Sequence, residues 1–155
     1  MSTSVIPAVI DALVAQATAA LPGVNVFDGY GVVNDFGDYL MVGTDDPSQA
    51  VRSIAAQASQ TTGPMGTSRP RDESGSVICA ALAWNGNGSA KDARDAAFAV
   101  VAAVEALLRA DPQLGLTGGP YLVAEMGDGF QLEQTQSDQG AEALVGFSVR
   151  FRARI

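Results

Sequence analysis

Val5, Ile6, Val9, Ile10, Leu13, Val14 and Ala17 return at three- and four-residue spacing through SVIPAVIDALVAQATAAL, the period of a helix with one apolar stripe. Ser4 suits the N-cap, and Pro7 falls in the first turn, where N–H groups lack intrahelical partners anyway. Leu21-Pro22-Gly23 ends the helix. GVNVFDGYG and DYLMVGTDD read as two strands joined by a Gly- and Asp-rich connection. The next stretch, DPSQAVRSIAAQASQTTG, admits two readings. Asp46 before Pro47 and the alanines favour a helix start, whereas Val51, Ser53, Ala55, Gln57 and Ser59 alternate like a strand with a thin apolar face. Residues 61–74 carry Gly, Pro, Ser and charge with no periodicity, which predicts a long exposed loop.

The nearly continuous apolar run SVICAALAW is the pattern of a central strand covered on both faces. NGNG turns the chain into SAKDARDAAFAVVAAVEALLRADP, the strongest helix signal in the sequence. Ala93, Ala97, Val100, Val101, Val104, Leu107 and Leu108 share one face, while Asp92 and Asp95 near the start and Arg109 near the end suit the helix dipole. Phe98 points away from that stripe, among Arg94, Ala102, Glu105 and Arg109, and is a candidate contact residue. YLVAEM, the turn GDG and FQLEQTQ predict a hairpin. A final strand over residues 141–155 places Val145, Phe147, Val149, Phe151, Ala153 and Ile155 on one side and Arg150, Arg152 and Arg154 on the other. Together these elements predict one α+β domain over residues 1–155: a mixed, mostly antiparallel sheet packed by two amphipathic helices, with a long hairpin or loop extension.

Composition narrows the chemistry. The chain has 155 residues, no histidine, one cysteine and a formal charge of −8 from nine Lys plus Arg against seventeen Asp plus Glu. Absence of histidine excludes Ser-His and Cys-His nucleophilic machinery, His-containing metal sites and a histidine pH switch. Cys79 lies within the apolar run and reads as a small buried hydrophobe. No apolar run reaches the ~18 residues of a membrane helix, and the N-terminus has no basic region ahead of its apolar stretch, so it does not read as a secretory signal. The negative charge argues against general affinity for nucleic-acid backbones.

Three motifs invite stronger readings. DFGD (Asp35–Asp38) copies the magnesium-binding triplet of protein kinases, but the Gly-rich loop, strand lysine and His-Arg-Asp loop are missing, so it reads as a tight turn. WNGNGSAKDAR has the layout of a phosphate cradle without GxxxxGK[ST], and reads as a polar turn with Ser89 as N-cap. Asp28, Asp35, Asp38, Asp45, Asp46 and Asp128 lack the spacing of a calcium loop and read as solvated turns. No cofactor or metal site is expected. The terminal arginines stand out, because three of nine cations occupy the last six residues of an acidic chain. They could keep an edge strand soluble, meet carboxylates on a neighbouring acidic subunit, or contact DNA, a third option that the overall charge weakens; Arg69 and Arg71 in the predicted loop are further candidate subunit contacts.

DGYGVVNDFGDYLMVGTDDP, RDESGSVICAALAWNGNG followed by DARDAAFAVVAAVEALLRADPQLGL, and the closing ALVGFSVRFRARI resemble the tail terminator (tail-completion) proteins of long-tailed bacteriophages, especially those infecting actinobacteria. The resemblance spans most of the chain. It implies a non-enzymatic virion subunit, assembled in the host cytoplasm and placed at the head-proximal end of the tail. Such a subunit forms a homo-oligomeric, hexameric ring that caps the last ring of tail-tube subunits, stops tube growth and meets the head connector or stopper. Phage DNA would pass through its lumen without sequence-specific binding. Another head–tail connector (stopper or neck) protein is the alternative. The resemblance also favours a strand for residues 49–60, pairing with SVICAALAW around a 61–74 tip. A head-to-tail ring needs two non-equivalent complementary patches on each subunit. An acidic body and a basic terminal strand would supply them.

Overall fold

In the computed structural model, which describes residues 2–45, 52–64, 69–117 and 121–155, the apolar stripe near the N-terminus forms helix α1 (Ile6–Ala20). Strands β1 (Val24–Asp28), β2 (Gly37–Val42), β3 (Ala56–Thr62) and β4 (Arg71–Asn85) follow. Helix α2 (Ala90–Ala110) then leads to β5 (Tyr121–Met126), β6 (Gln131–Ser137) and β7 (Gly140–Arg154). The fold is α+β: two helices on a seven-stranded mixed, mostly antiparallel sheet of order β1-β2-β4-β7-β5, with β3 also on β4 and β6 also on β7.

The two fifteen-residue strands are the spine. They pair antiparallel from Asp72 opposite Arg154 to Asn85 opposite Ala141. Each is long enough to take two short strands end to end on its outer edge. Along β4, β2 lies opposite residues 79–84 and β3 opposite residues 71–77. The chain leaves this edge at Gly43 and returns at Ala55, and both anchor on one residue: the Gly43 N–H donates to the Ile78 carbonyl (2.7 Å), and the Ile78 N–H donates to the Ala55 carbonyl (2.9 Å). Along β7, β5 lies opposite residues 149–154 and β6 opposite residues 140–146.

This arrangement corrects the predicted β5–β6 hairpin. The two strands do not pair with each other; they continue in one direction along β7, and the hairpin is instead β6–β7, closed where Ser137 faces Gly140. A β5–β6 hairpin would have left half of β7's edge without backbone partners, the costlier choice. GDG is therefore an offset in an interrupted strand. Gly127 donates to the Ser148 carbonyl at 2.8 Å, and a Cβ there would sit 2.2 Å from Ser148 Oγ, a closeness only glycine allows.

The 61–74 loop is also shorter than predicted. Strands occupy 61–62 and 71–74, leaving 63–70 as the connection, of which residues 65–68, including Met65, lie outside the described residues. Thr61 opposite Asp72 and Gln60 opposite Glu73 show why periodicity missed it: a polar hairpin has no apolar face to alternate. Of the strand that the resemblance favoured over 49–60, residues 56–60 are strand, 52–55 are not and 49–51 lie outside the described residues; β3 runs on to Thr62 and pairs with residues 71–77, mostly ahead of SVICAALAW. The helix start weighed at Asp46-Pro47 lies outside the described residues. β1 and β2, read as two strands with a connection between them, run parallel.

Both helices cover one face. Ala93, Ala97, Val100, Val101, Val104 and Leu108 of α2 lie over alternate residues of β4 (77, 79, 81, 83) and β7 (141–153), while Val9, Leu13 and Ala17 of α1 extend the same core over β1 and β2. The centre of β4 is buried on its other face too, where Ala80 and Leu82 lie beside Met41 and Tyr39. The 29–36 connection folds onto that face: the Tyr39 hydroxyl donates to the Asp35 carbonyl (2.7 Å), and Phe36 packs edge-on against Trp84 at 4.6 Å.

Candidate subunit interface

Alternation in β7 sends Phe147, Val149, Phe151 and Ala153 into the core and Arg150, Arg152 and Arg154 to the face away from the helices, as predicted. What surrounds the arginines is set by register. Arg150 lies opposite Glu125 of β5, and its guanidinium meets Glu125 (3.1 Å) and Asp128 (2.7 Å). Arg154 lies opposite Asp72 of β4 and donates to both of its carboxylate oxygens, at 2.9 and 3.4 Å. That hydrogen bond, with the guanidinium's charge, holds the Asp72 carboxyl below its usual range. Arg152 differs: its cross-strand neighbours are Ser74 and Val123, and among the described residues it makes no ion pair. Asp72, Glu125 and Asp128 thus offset the three arginines, so this face is a balanced ladder rather than the purely basic patch its sequence suggests.

The two loop arginines part company. Arg71 begins β4, half-buried, donating to Gln60 Oε1 (3.0 Å) and the Ser2 carbonyl (3.1 Å), so it ties the N-terminal segment to the β3–β4 hairpin. Arg69 is exposed near the hairpin end. Two places further along β4, Glu73 is buried, and its carboxylate accepts from the Ser4 hydroxyl, the Val5 N–H (3.1 Å) and Gln60 Nε2 (3.2 Å). The N-cap of α1 is Val5, not Ser4; Ser4 Oγ accepts from the Ile6 N–H, and Glu73 does the capping from across the fold.

Phe98 sits on the outer face of α2, 37% exposed, with its ring 6.4 Å from that of Phe130. Phe130 and Leu132 are exposed as well, and both were missed; their signal is the apolar pair at 130 and 132 in an otherwise polar stretch. Strand β6 is held against α2 by glutamines: Gln134 Oε1 accepts from Arg94 (3.2 Å), Gln134 Nε2 donates to the Ala90 carbonyl (2.9 Å), and Gln136 Nε2 donates to the Gly88 carbonyl (3.0 Å). Phe98, Phe130 and Leu132 therefore form one apolar group beside the β6 edge. Tyr30, Val32 and Phe36, also exposed, lie on the 29–36 connection, which folds over the face away from the helices.

The remaining motifs read as structure. Ser89 caps α2, accepting from the Asp92 N–H at 3.2 Å, and Asn87 binds both the Ser89 N–H and Asp92, so the helix start is filled by its own side chains. Among the described residues no three His, Cys, Asp or Glu side chains gather where they could hold a metal ion, and no helix is long and apolar enough to cross a membrane. Asp46 of the acidic set lies outside the described residues. Burial pushes the Cys79 thiol from 9.0 up to about 12. Native protein should therefore resist thiol labelling at pH 8 and react after urea unfolding; rapid native labelling would contradict the burial. Because the folded-state value is raised, the thiol's contribution to stability is complete below pH 9 and is lost as pH climbs toward 12. No protein-family model matches the chain, and no curated protein matches it.

Proposed function

We propose that this chain is a structural subunit of a phage tail, a terminator that closes into a ring on the end of the tail tube and offers a surface to the head connector. The observation that carries the reading is the pair of exposed apolar groups, Phe98/Phe130/Leu132 and Tyr30/Val32/Phe36, on opposite sides of one sheet. They are not equivalent, and a head-to-tail contact that closes a ring needs two different patches that meet. Isolated exposed apolar residues are ordinary; two groups so placed support self-association. The resemblance in DGYGVVNDFGDYLMVGTDDP and ALVGFSVRFRARI supplies the tail context and the hexameric expectation.

The test is sedimentation of the purified protein, then electron microscopy of the protein mixed with tail tubes. A discrete oligomer that caps one tube end is expected. A monomer at all concentrations would refute the ring, and an oligomer that binds connectors but ignores tubes would favour a neck protein. Phe130→Ser should weaken assembly roughly tenfold or more without lowering thermal stability, because the ring is exposed in the single subunit. Unchanged oligomer mass for this variant would remove the β6-edge patch from the interface.

A further inference from the structure

The arginine face is shaped as well as charged. Two depressions, of about 490 and 760 Å³, run along the outer face of β7 and share Ser74, Tyr121 and Arg152 at their junction. Arg150 and Arg154 are each engaged by carboxylates of their own chain, so they act as fixed walls. Arg152 is left between them with five N–H donors, a serine hydroxyl on one side and the 68% exposed ring of Tyr121 near by. The trough crosses β4, β7 and β5 on the face away from the helices.

We propose that the Arg152 trough docks a carboxylate of a second copy of this chain, supplied by its 28–36 connection. This rests on the ring-forming reading above. Charge complementarity points to the occupant. The chain carries −8, so every copy brings an excess of carboxylates. In the connection, Asp28 and Asp35 are exposed and make no ion pair among the described residues. They flank Tyr30 and Val32 and adjoin Phe36, so one segment presents acids for Arg152 with exposed apolar side chains beside them. A guanidinium can take a carboxylate with two parallel hydrogen bonds, so the contact sets register between subunits as well as attraction.

The experiment is self-association by analytical ultracentrifugation at low and high salt, with circular dichroism as the folding control. Arg152→Gln should weaken association roughly tenfold and flatten its salt dependence. Arg152→Lys should recover part of the loss, because it keeps the charge but not the paired hydrogen bonds. Lys91→Gln, which changes net charge equally on the outer surface of α2, should associate like wild type. Asp28→Asn with Asp35→Asn should weaken association as Arg152→Gln does, and adding Arg152→Gln to them should cost little more. Four results would overturn the proposal. If wild type assembles and Arg152→Gln assembles equally well, the docking site fails while the ring reading stands. Equal losses in Arg152→Gln and Lys91→Gln would reduce the effect to overall charge. Fully additive losses would place the carboxylate elsewhere than in the 28–36 connection. A wild type that never associates would take down both the site and the ring.

Discussion

Val104→Asp should abolish or nearly abolish the folded state. Val104 is 3% exposed on the core face of α2, and it lines a closed apolar space with Leu13, Leu40, Cys79, Phe147 and Val149. A carboxylate there finds only the Cys79 thiol, a weak donor already directed at the Val77 carbonyl. An unpaired buried charge costs several kcal/mol, about half or more of the ~5–15 kcal/mol that stabilises an ordinary domain. The check is urea unfolding followed by circular dichroism. A midpoint close to wild type would mean that the α2 face is misassigned.

Glu73→Ala should cost about 2–4 kcal/mol, a large effect for a residue at the polar end of a strand. The carboxylate is 1% exposed and accepts from Ser4, the Val5 N–H and Gln60, and the Ser4 hydroxyl that it holds takes the Ile6 N–H. Truncation leaves the Val5 N–H buried without its acceptor and removes a negative charge from the positive end of the helix dipole. Glu73→Gln keeps the size but turns an amide NH₂ toward donors, so it should recover only part of the loss. Hydrogen exchange gives the local signature: amides in the first turn of α1 should exchange faster in both variants, while those in β7 follow global stability alone. A Glu73→Ala protein within about 0.5 kcal/mol of wild type would show that the cap is dispensable.

Wherever one face of an element is greasy, the local pattern was sufficient. The stripes of α1 and α2, the double burial of SVICAALAW and the inward set of β7 all follow from periods of 3.6 and 2, because burying apolar surface leaves each element one way to lie. The same logic placed Phe98 on the outside and Arg150, Arg152 and Arg154 away from the core. It failed where polar residues pair with polar residues. The β3–β4 hairpin has no apolar face, so its extension to Thr62 and Arg71 was invisible, and buried Glu73 was taken for part of an exposed loop.

Partnership was decided only in three dimensions. GDG between two strand-like segments is locally a hairpin, but the free edge of a fifteen-residue β7 offered more backbone hydrogen bonds to β5 and β6 laid end to end. Arg154 and Asp72 are 82 positions apart, and Arg150 and Glu125 are 25 apart; their contacts follow from register, which alternation along one strand does not encode. Register is also what left Arg152 opposite Ser74 and Val123 instead of an acid. So the sequence by itself determined which surfaces turn inward, because the hydrophobic effect acts on each segment through its own periodicity. The tertiary structure decided which strand edges, charges and exposed apolar side chains become neighbours, because hydrogen bonds and ion pairs depend on distances that only long-range pairing sets.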